Sequence, residues 1–149
     1  MKIEEAIQQK KFKDPQAKAW INLVYTHNQL MGRVNQVIKK FGITHQQFNV
    51  LRILRGRENR SAICSEVKSV MLDKNPDVTR LGNRLVAKEL ITRGVNENNR
   101  REVELSITEK GLDLLKQIDP ELSNYNQFLY NLTDEEANQL SDLLDKLRS

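Results

Sequence analysis

Turn-forming residues and cysteine are scarce in this sequence. Its 149 residues include only six glycines, three prolines and one cysteine, Cys64. So few turn formers argue against a β-sandwich or a β-barrel, which need many tight turns. A single cysteine excludes an intramolecular disulfide framework and a four-cysteine zinc site.

Long hydrophobic runs are absent as well. No apolar stretch approaches the ~20 residues that a membrane-spanning helix needs. The first residues, MKIEEAIQQKKF, lack the apolar core of a secretory signal. Hydrophobic residues nevertheless make up 38% of the chain and charged residues 30%, which is typical of a folded domain rather than a disordered segment. We therefore expect a single domain, residues 1–149, in the reducing environment of the cytoplasm.

Charge is distributed unevenly along the chain. The formal net charge is +4, but residues 1–51 carry +5, residues 52–101 carry +6 and residues 102–149 carry −7. A basic centre favours a polyanionic partner such as a nucleic acid, and the acidic C-terminal third indicates a different role for that segment. The alternative is an ordinary solvated surface.

Apolar residues recur at helical spacing through most of the chain. An Asp-Pro pair at residues 14–15 predicts the start of a long amphipathic helix that ends at Gly42, and Thr44 is placed to cap a short second helix. Ser61 is placed to cap a brief third helix. Asn75-Pro76-Asp77 repeats the pattern of a cap followed by proline and predicts the start of a fourth.

The periodicity changes after the fourth helix. Residues 91–95 and 102–107 flank an Asn-rich polar loop, and the second segment alternates apolar and polar side chains, which predicts a β-hairpin with a basic tip. Two more helices follow, capped by Thr108 and Thr133, and Pro120 is predicted to kink or break the first of them. The fold class is therefore mainly α with a small β-hairpin.

This order of elements is typical of a winged helix-turn-helix, a DNA-binding architecture. The fourth helix exposes short and cationic side chains, as a helix that enters the major groove must. Arg80 could contact guanine, Asn83 adenine, and Thr79 a thymine methyl group or a phosphate. Arg100 and Arg101, at the hairpin tip, would reach the neighbouring minor groove or its phosphates. The predicted DNA-binding residues are Lys74, Asn75, Thr79, Arg80, Asn83, Arg84, Arg100 and Arg101; the alternative for each arginine is a solvated helix face or turn.

Three segments resemble the MarR family of bacterial transcription regulators. THQQFNVLRIL is similar to that family's second helix, DVTRLGNRLVAKELITR to its recognition helix, and NENNRREVELSITEKG to its wing. The resemblance covers residues 15–148. It implies an obligate homodimer on a pseudo-palindromic DNA site, with repression or activation often relieved by a small ligand or an oxidant. It also implies an effector pocket where the first, second and long post-wing helices meet, for which the candidates are Trp20, His27, Met31 and Arg52. The alternative for each of these residues is an ordinary core or surface position.

Two positions depart from the family pattern. Glu89 stands where the family usually has glycine between the recognition helix and the wing, so the helix end must use another conformation or tolerate strain. Asn99 stands where the wing usually has an acidic residue before its arginine pair. The acid-to-arginine bridge that would orient Arg84 or Arg101 is therefore in question.

The terminal helices carry more leucine and aromatic residues than a small DNA-binding module can cover, which predicts a dimer. We expect residues 43–107 to form the winged helix-turn-helix, and residues 1–42 and 108–149 to form a helical dimerisation region. Such a dimer would hold two recognition helices about one helical turn of DNA, ~34 Å, apart.

The sequence offers little for catalysis or metal binding. There is no Gly-rich phosphate loop and no nucleophile-elbow motif, and His27 and His45 are far apart in the sequence. Cys64 is either an oxidant sensor near a helix start or, as we expect, a small buried hydrophobic residue. We therefore predict a non-enzyme without cofactor or metal. The competing function is a winged-helix protein–protein interaction module with no DNA role.

Overall fold

The computed structural model describes residues 1–149 and is mainly helical. No helix combines the length and the hydrophobicity that crossing a lipid bilayer requires. The α-helices are α1 (Ile3–Ala6), α2 (Pro15–Lys39), α3 (His45–Arg55), α4 (Cys64–Val70), α5 (Val78–Ala87), α6 (Glu109–Tyr125) and α7 (Asp134–Arg148). The strands are β1 (Ser61–Ile63), β2 (Ile91–Val95) and β3 (Val103–Ile107), and a 3₁₀ helix spans Asn126–Asn131.

Side-chain caps begin most of the longer helices, as the sequence predicts. The side chain of Asp14 accepts a hydrogen bond from the Ala17 amide at 2.6 Å. The helices α3, α6 and α7 are capped by threonines. In each case the threonine hydroxyl oxygen accepts a hydrogen bond from the backbone amide three residues later; the threonines are Thr44, Thr108 and Thr133. Each cap satisfies an amide that has no partner inside its helix.

The sheet has three strands rather than the two of a simple hairpin. All pairings are antiparallel and the strand order is β1-β3-β2. The prediction that Ser61 caps a helix is wrong, because Ser61 pairs with Ser106 in the sheet. Strand β3 offers a free edge to that segment, and backbone pairing with this edge satisfies groups that a local cap would not.

Helix α5 begins two residues later than the sequence predicts. Its N-cap is Asp77, whose Oδ1 accepts a hydrogen bond from the Arg80 amide at 2.9 Å. Pro76 is buried and lies before the helix instead of at its first position. The side chain of Asp77 therefore caps this helix in place of Asn75.

Pro120 does not break its helix. Helix α6 runs continuously from Glu109 to Tyr125 with the proline inside it. Pro120 and Lys116 both lie on the exposed side, so solvent can hydrate the Lys116 carbonyl that the proline leaves without an amide donor. The predicted break is wrong for this reason.

The hydrophobic core lies in the middle of the chain. A single cluster of 19 buried residues joins the end of α2, helices α3 to α5, the sheet and the first part of α6. Helix α2 buries only Val37 and Ile38, both near its C-terminus, and α7 buries no residue. The winged helix-turn-helix therefore holds the core, while most of α2 and all of α7 lie outside it.

Of the two outcomes expected at the end of α5, another backbone conformation or strain, the structure shows strain. Glu89 has a φ of +60°, a left-handed conformation that favours glycine. The Leu90 amide donates to the Leu85 carbonyl at 3.0 Å and the Glu89 amide to the Val86 carbonyl at 2.8 Å, which is the hydrogen-bond pattern of a Schellman motif. Leu85 and Leu90 are both buried and supply the apolar contact that accompanies this motif.

Candidate nucleic-acid interface

Helix α5 packs on the sheet through one face and exposes the other. A Cβ placed on Gly82 would lie 3.5 Å from a Leu105 methyl group, so the helix sits directly on the middle of β3. This contact fixes the opposite face outward. The buried residues are Val78, Leu81, Gly82 and Leu85, and the exposed ones are Thr79, Arg80, Asn83 and Arg84.

The cations around this face have no carboxylate partners. Salt bridges occur elsewhere, as between Arg55 and Asp119 at 2.6 Å and between Lys40 and Glu121 at 3.0 Å. Six exposed cations near the outer face of α5 and the wing have no carboxylate within 4.0 Å of their charged groups. Their charge is thus free to meet a polyanion. These cations are Lys74, Arg80, Arg84, Arg93, Arg100 and Arg101.

The turn before α5 carries the two remaining predicted residues. Lys74 and Asn75 are exposed in the segment between α4 and α5. Asn75 lines a surface cavity of about 420 Å³ together with Lys68 and the start of α5. Since α5 begins at Val78, the unpaired amides of Val78 and Thr79 lie at this cavity.

The wing tip is ordered by asparagine side chains. Asn96 Oδ1 accepts hydrogen bonds from the amides of Asn98 at 2.8 Å and Asn99 at 3.3 Å, and Asn99 Oδ1 accepts from the Arg101 amide at 3.2 Å. These contacts hold the turn that exposes Arg100 and Arg101. The side chain of Asn99 thus accepts a hydrogen bond from a backbone amide, and no salt bridge between an acidic residue and Arg101 forms.

Arg93 joins the site although sequence reasoning did not include it. It lies in β2 opposite Leu105, so both side chains project from the face of the sheet that packs on α5. Its Nη1 donates a hydrogen bond to Oδ1 of Asn83. Strand alternation alone does not predict this position. The register of β2 against β3 is needed to know that Arg93 shares a face with Leu105.

Cys64 behaves as a packing residue. It is the first residue of α4, half-buried against the hydrophobic core. Burial raises the pKa of the thiol, and the nearby positive charge of Arg93 only partly opposes this effect. A raised pKa disfavours the thiolate that oxidation requires.

The four effector candidates do not converge on one pocket. Trp20 and His27 line a shallow cavity of about 340 Å³ with leucines of α7. Arg52 lies on α3, with its guanidinium 5.8 Å from the centre of the Phe48 ring. Met31 is half-buried further along α2.

The structure groups no set of three or more His, Cys, Asp or Glu side chains that could hold a metal ion.

Comparison with known proteins places this fold in a family. The model of the MarR family matches residues 43–103, the segment that contains the helix-turn-helix and most of the wing. The regulator MgrA of Staphylococcus aureus is 34% identical over 116 residues, which cover 76% of this chain and 75% of that protein. The chain belongs to the MarR family. The transcriptional repressor MprA of Escherichia coli is 29% identical over 127 residues, 85% of this chain and 72% of that protein.

Solved structures of MarR regulators share the architecture described above. A cysteine-to-serine mutant of Escherichia coli MarR, solved with operator DNA, is 28% identical and superposes with a TM-score of 0.71, covering 85% of this chain and 91% of that one. AbsC of Streptomyces coelicolor superposes with a TM-score of 0.81 over 93% of this chain and 96% of its own, at 19% identity. The mainly helical winged helix-turn-helix predicted from sequence is thereby confirmed.

Proposed function

We propose that this MarR-family chain is a repressor that binds double-stranded DNA at a specific pseudo-palindromic site as a homodimer. The observation that carries the proposal is the outer face of α5, where Thr79, Arg80, Asn83 and Arg84 are exposed beside cations that lack carboxylate partners. Cationic and amide side chains on one helix face are what base recognition in the major groove requires.

The relatives support the same reading. The Escherichia coli MarR mutant was solved with operator DNA, and MprA carries the name of a transcriptional repressor. The similarity to each of these two proteins covers 85% of this chain. By analogy, α5 enters the major groove, Lys74 and Asn75 flank a backbone phosphate, and Arg100 and Arg101 follow the adjacent minor groove.

The terminal helices supply the homodimer interface in this proposal. On α7, Leu143 is 64% exposed and Leu147 62%, and on α2 Trp20 is 60% exposed. An amphipathic helix with no buried residue, such as α7, needs a partner to cover its apolar face. A second copy of the same region would cover it and would align two α5 helices with successive major grooves.

The proposal divides the chain by role. Residues 43–107 bind DNA, while residues 1–42 and 108–149 dimerise. The protein would act in the cytoplasm and without catalytic chemistry of its own. A small-molecule effector that enters the cavity beside Trp20 and His27 would alter the dimer and hence the spacing of the two α5 helices. Aromatic acids serve as probes, because binding there would quench Trp20 fluorescence.

Selection of duplexes from a random DNA pool at ~150 mM salt tests the proposal, since this salt weakens non-specific binding. Enrichment of a two-fold symmetric motif with half-sites about ten base pairs apart supports a dimeric regulator. An unenriched pool contradicts DNA recognition and favours the alternative, a winged-helix module that binds another protein through the same basic face.

A further inference from the structure

We propose that Arg93 is a positioning residue that sets the base specificity of Asn83. The inference rests on the proposed DNA-binding function and extends it to a residue outside α5. Both side chains are exposed at the junction of α5 and the sheet, on the side where DNA would lie. The two are joined by the hydrogen bond from Arg93 Nη1 to Asn83 Oδ1.

The sheet register brings Arg93 to this place. Arg93 pairs with Leu105 across β2 and β3, and Leu105 is the residue on which Gly82 of α5 packs. Directly paired residues of antiparallel strands project from the same face, so Arg93 emerges beside α5 at the edge strand of the sheet. Asn83 follows Gly82 and faces outward from that contact.

The chemistry of arginine fixes the orientation of the amide. A guanidinium has five N–H donors and no acceptor, so the atom of Asn83 that faces Arg93 must be the oxygen. The Asn83 amide nitrogen has no hydrogen-bond partner in the protein. Asn83 therefore offers the DNA two N–H donors, with one lone pair of its oxygen already occupied.

This orientation changes the base that Asn83 is expected to read. Bidentate recognition of adenine needs Oδ1 to accept from N6 while Nδ2 donates to N7. With Oδ1 held by Arg93, the amide nitrogen instead favours adjacent acceptors, and guanine presents two in the major groove, N7 and O6. The guanine preference of Asn83 replaces the adenine contact expected from its residue type alone.

The same random-pool selection tests this inference with four variants. Asn83→Ala identifies the base position that depends on Asn83. In the wild-type pool that position should be guanine, preferred over adenine by about fivefold to tenfold. Arg93→Met removes the donor at similar side-chain length and should shift this one position toward adenine. Arg93→Lys keeps a cationic donor and should retain guanine.

Arg101→Met is the matched control, because it removes one wing cation that does not contact Asn83. It should weaken binding to all duplexes without changing any base preference. If Arg93→Met behaves in the same way, Arg93 is a phosphate contact and the inference is wrong. Adenine at the Asn83-dependent position, or no position that depends on Asn83, also overturns it. A wild-type pool without a motif overturns the proposed function itself, which is a separate outcome.

Discussion

Lys110 Nζ lies 2.9 Å from Oε2 of Glu89 and so connects the first turn of α6 to the left-handed residue that ends α5. The hydroxyl of Thr108 also donates to the Glu89 carbonyl, at 2.8 Å. Two contacts from the start of α6 thus hold a residue whose backbone conformation favours glycine. Helices α5 and α6 are joined at this point.

Replacing Glu89 by glycine should stabilise the protein despite the loss of the ion pair. The pair is exposed and contributes little, whereas glycine adopts a φ of +60° without steric strain. We expect Glu89→Gly to raise the thermal unfolding midpoint by about 2–4 °C. Glu89→Ala loses the pair but keeps the strain, so its midpoint should fall below that of the wild type. A lower midpoint for Glu89→Gly would show that the Lys110 contact dominates.

Gly111 is the glycine that tolerates a side chain least. A Cβ at this position would lie 2.3 Å from the Leu90 carbonyl oxygen and 2.7 Å from Ile107 Cγ1. Gly111→Ala should therefore destabilise the fold by about 2–3 kcal/mol in chemical denaturation, because backbone has to move. Gly32→Ala is the control: nothing lies within 4 Å of its Cβ position, and it should stabilise α2 by about 0.5–1 kcal/mol. Equal effects of the two variants would refute the packing argument.

His45 should make stability fall on mild acidification. Its half-burial at the start of α3 lowers the pKa from the ordinary value of 6.5; the positive charge of Arg52 adds to this, while Asp73 opposes it. The unfolded chain therefore takes up a proton at higher pH than the folded one, so this stabilisation is complete above pH 6.5 and declines as the pH falls toward the folded pKa.

We expect the unfolding midpoint to drop as the pH falls below about 6.5 toward the lowered pKa of folded His45, and His45→Gln to reduce that drop. This window lies above the range in which Glu89 titrates, since the hydrogen bond from Lys110 lowers the pKa of that carboxyl below 4.5. An unchanged pH profile in His45→Gln would assign the effect to other groups.

Arg80 and Arg101 should affect DNA binding in different ways. Arg80 lies on the exposed face of α5, so Arg80→Ala should cost about 1–3 kcal/mol on the selected site and much less on random duplexes. Arg101 lies at the wing tip, so Arg101→Ala should weaken all duplexes and reduce the salt slope by about one unit. Fluorescence anisotropy titrations at several salt concentrations measure both effects. Equal losses on specific and random DNA for Arg80→Ala would remove its base-reading role.

Leu143 should be needed for dimer formation. It is exposed on α7, and Leu143→Glu would bury a carboxylate at an apolar interface. Light scattering at micromolar concentration should show a dimer for the wild type and a monomer for the variant. Ser141→Glu adds the same charge on another side of α7 and should remain dimeric. A monomeric wild type would contradict the proposed assembly.

Local patterns predicted much of the molecule. Helical periodicity and caps at Asp14, Thr44, Thr108 and Thr133 located four of the helices, because a cap and its amide are only three residues apart. The left-handed conformation of Glu89 was likewise predictable, since it follows from the end of one helix.

The predictions that failed depend on where a residue lies in the folded protein. Ser61 resembles a helix cap locally, but it lies in β1 because an edge of β3 is available 43 residues further along, as in the hydrogen bond from Ser61 Oγ to Glu104. Pro120 resembles a helix breaker, but its exposed position lets α6 continue. In both cases tertiary surroundings outweigh local preference.

The sequence by itself determined the order of helices, the exposed face of α5 and the surplus of apolar surface on the terminal helices, because each depends on spacing within one element. Tertiary structure decided the third strand, the start of α5 and the meeting of Arg93 with Asn83. That last contact requires the register of β2 against β3 and the packing of Gly82 on Leu105 together. Neither is encoded in the spacing of nearby residues, since both arise only when separate elements share one core.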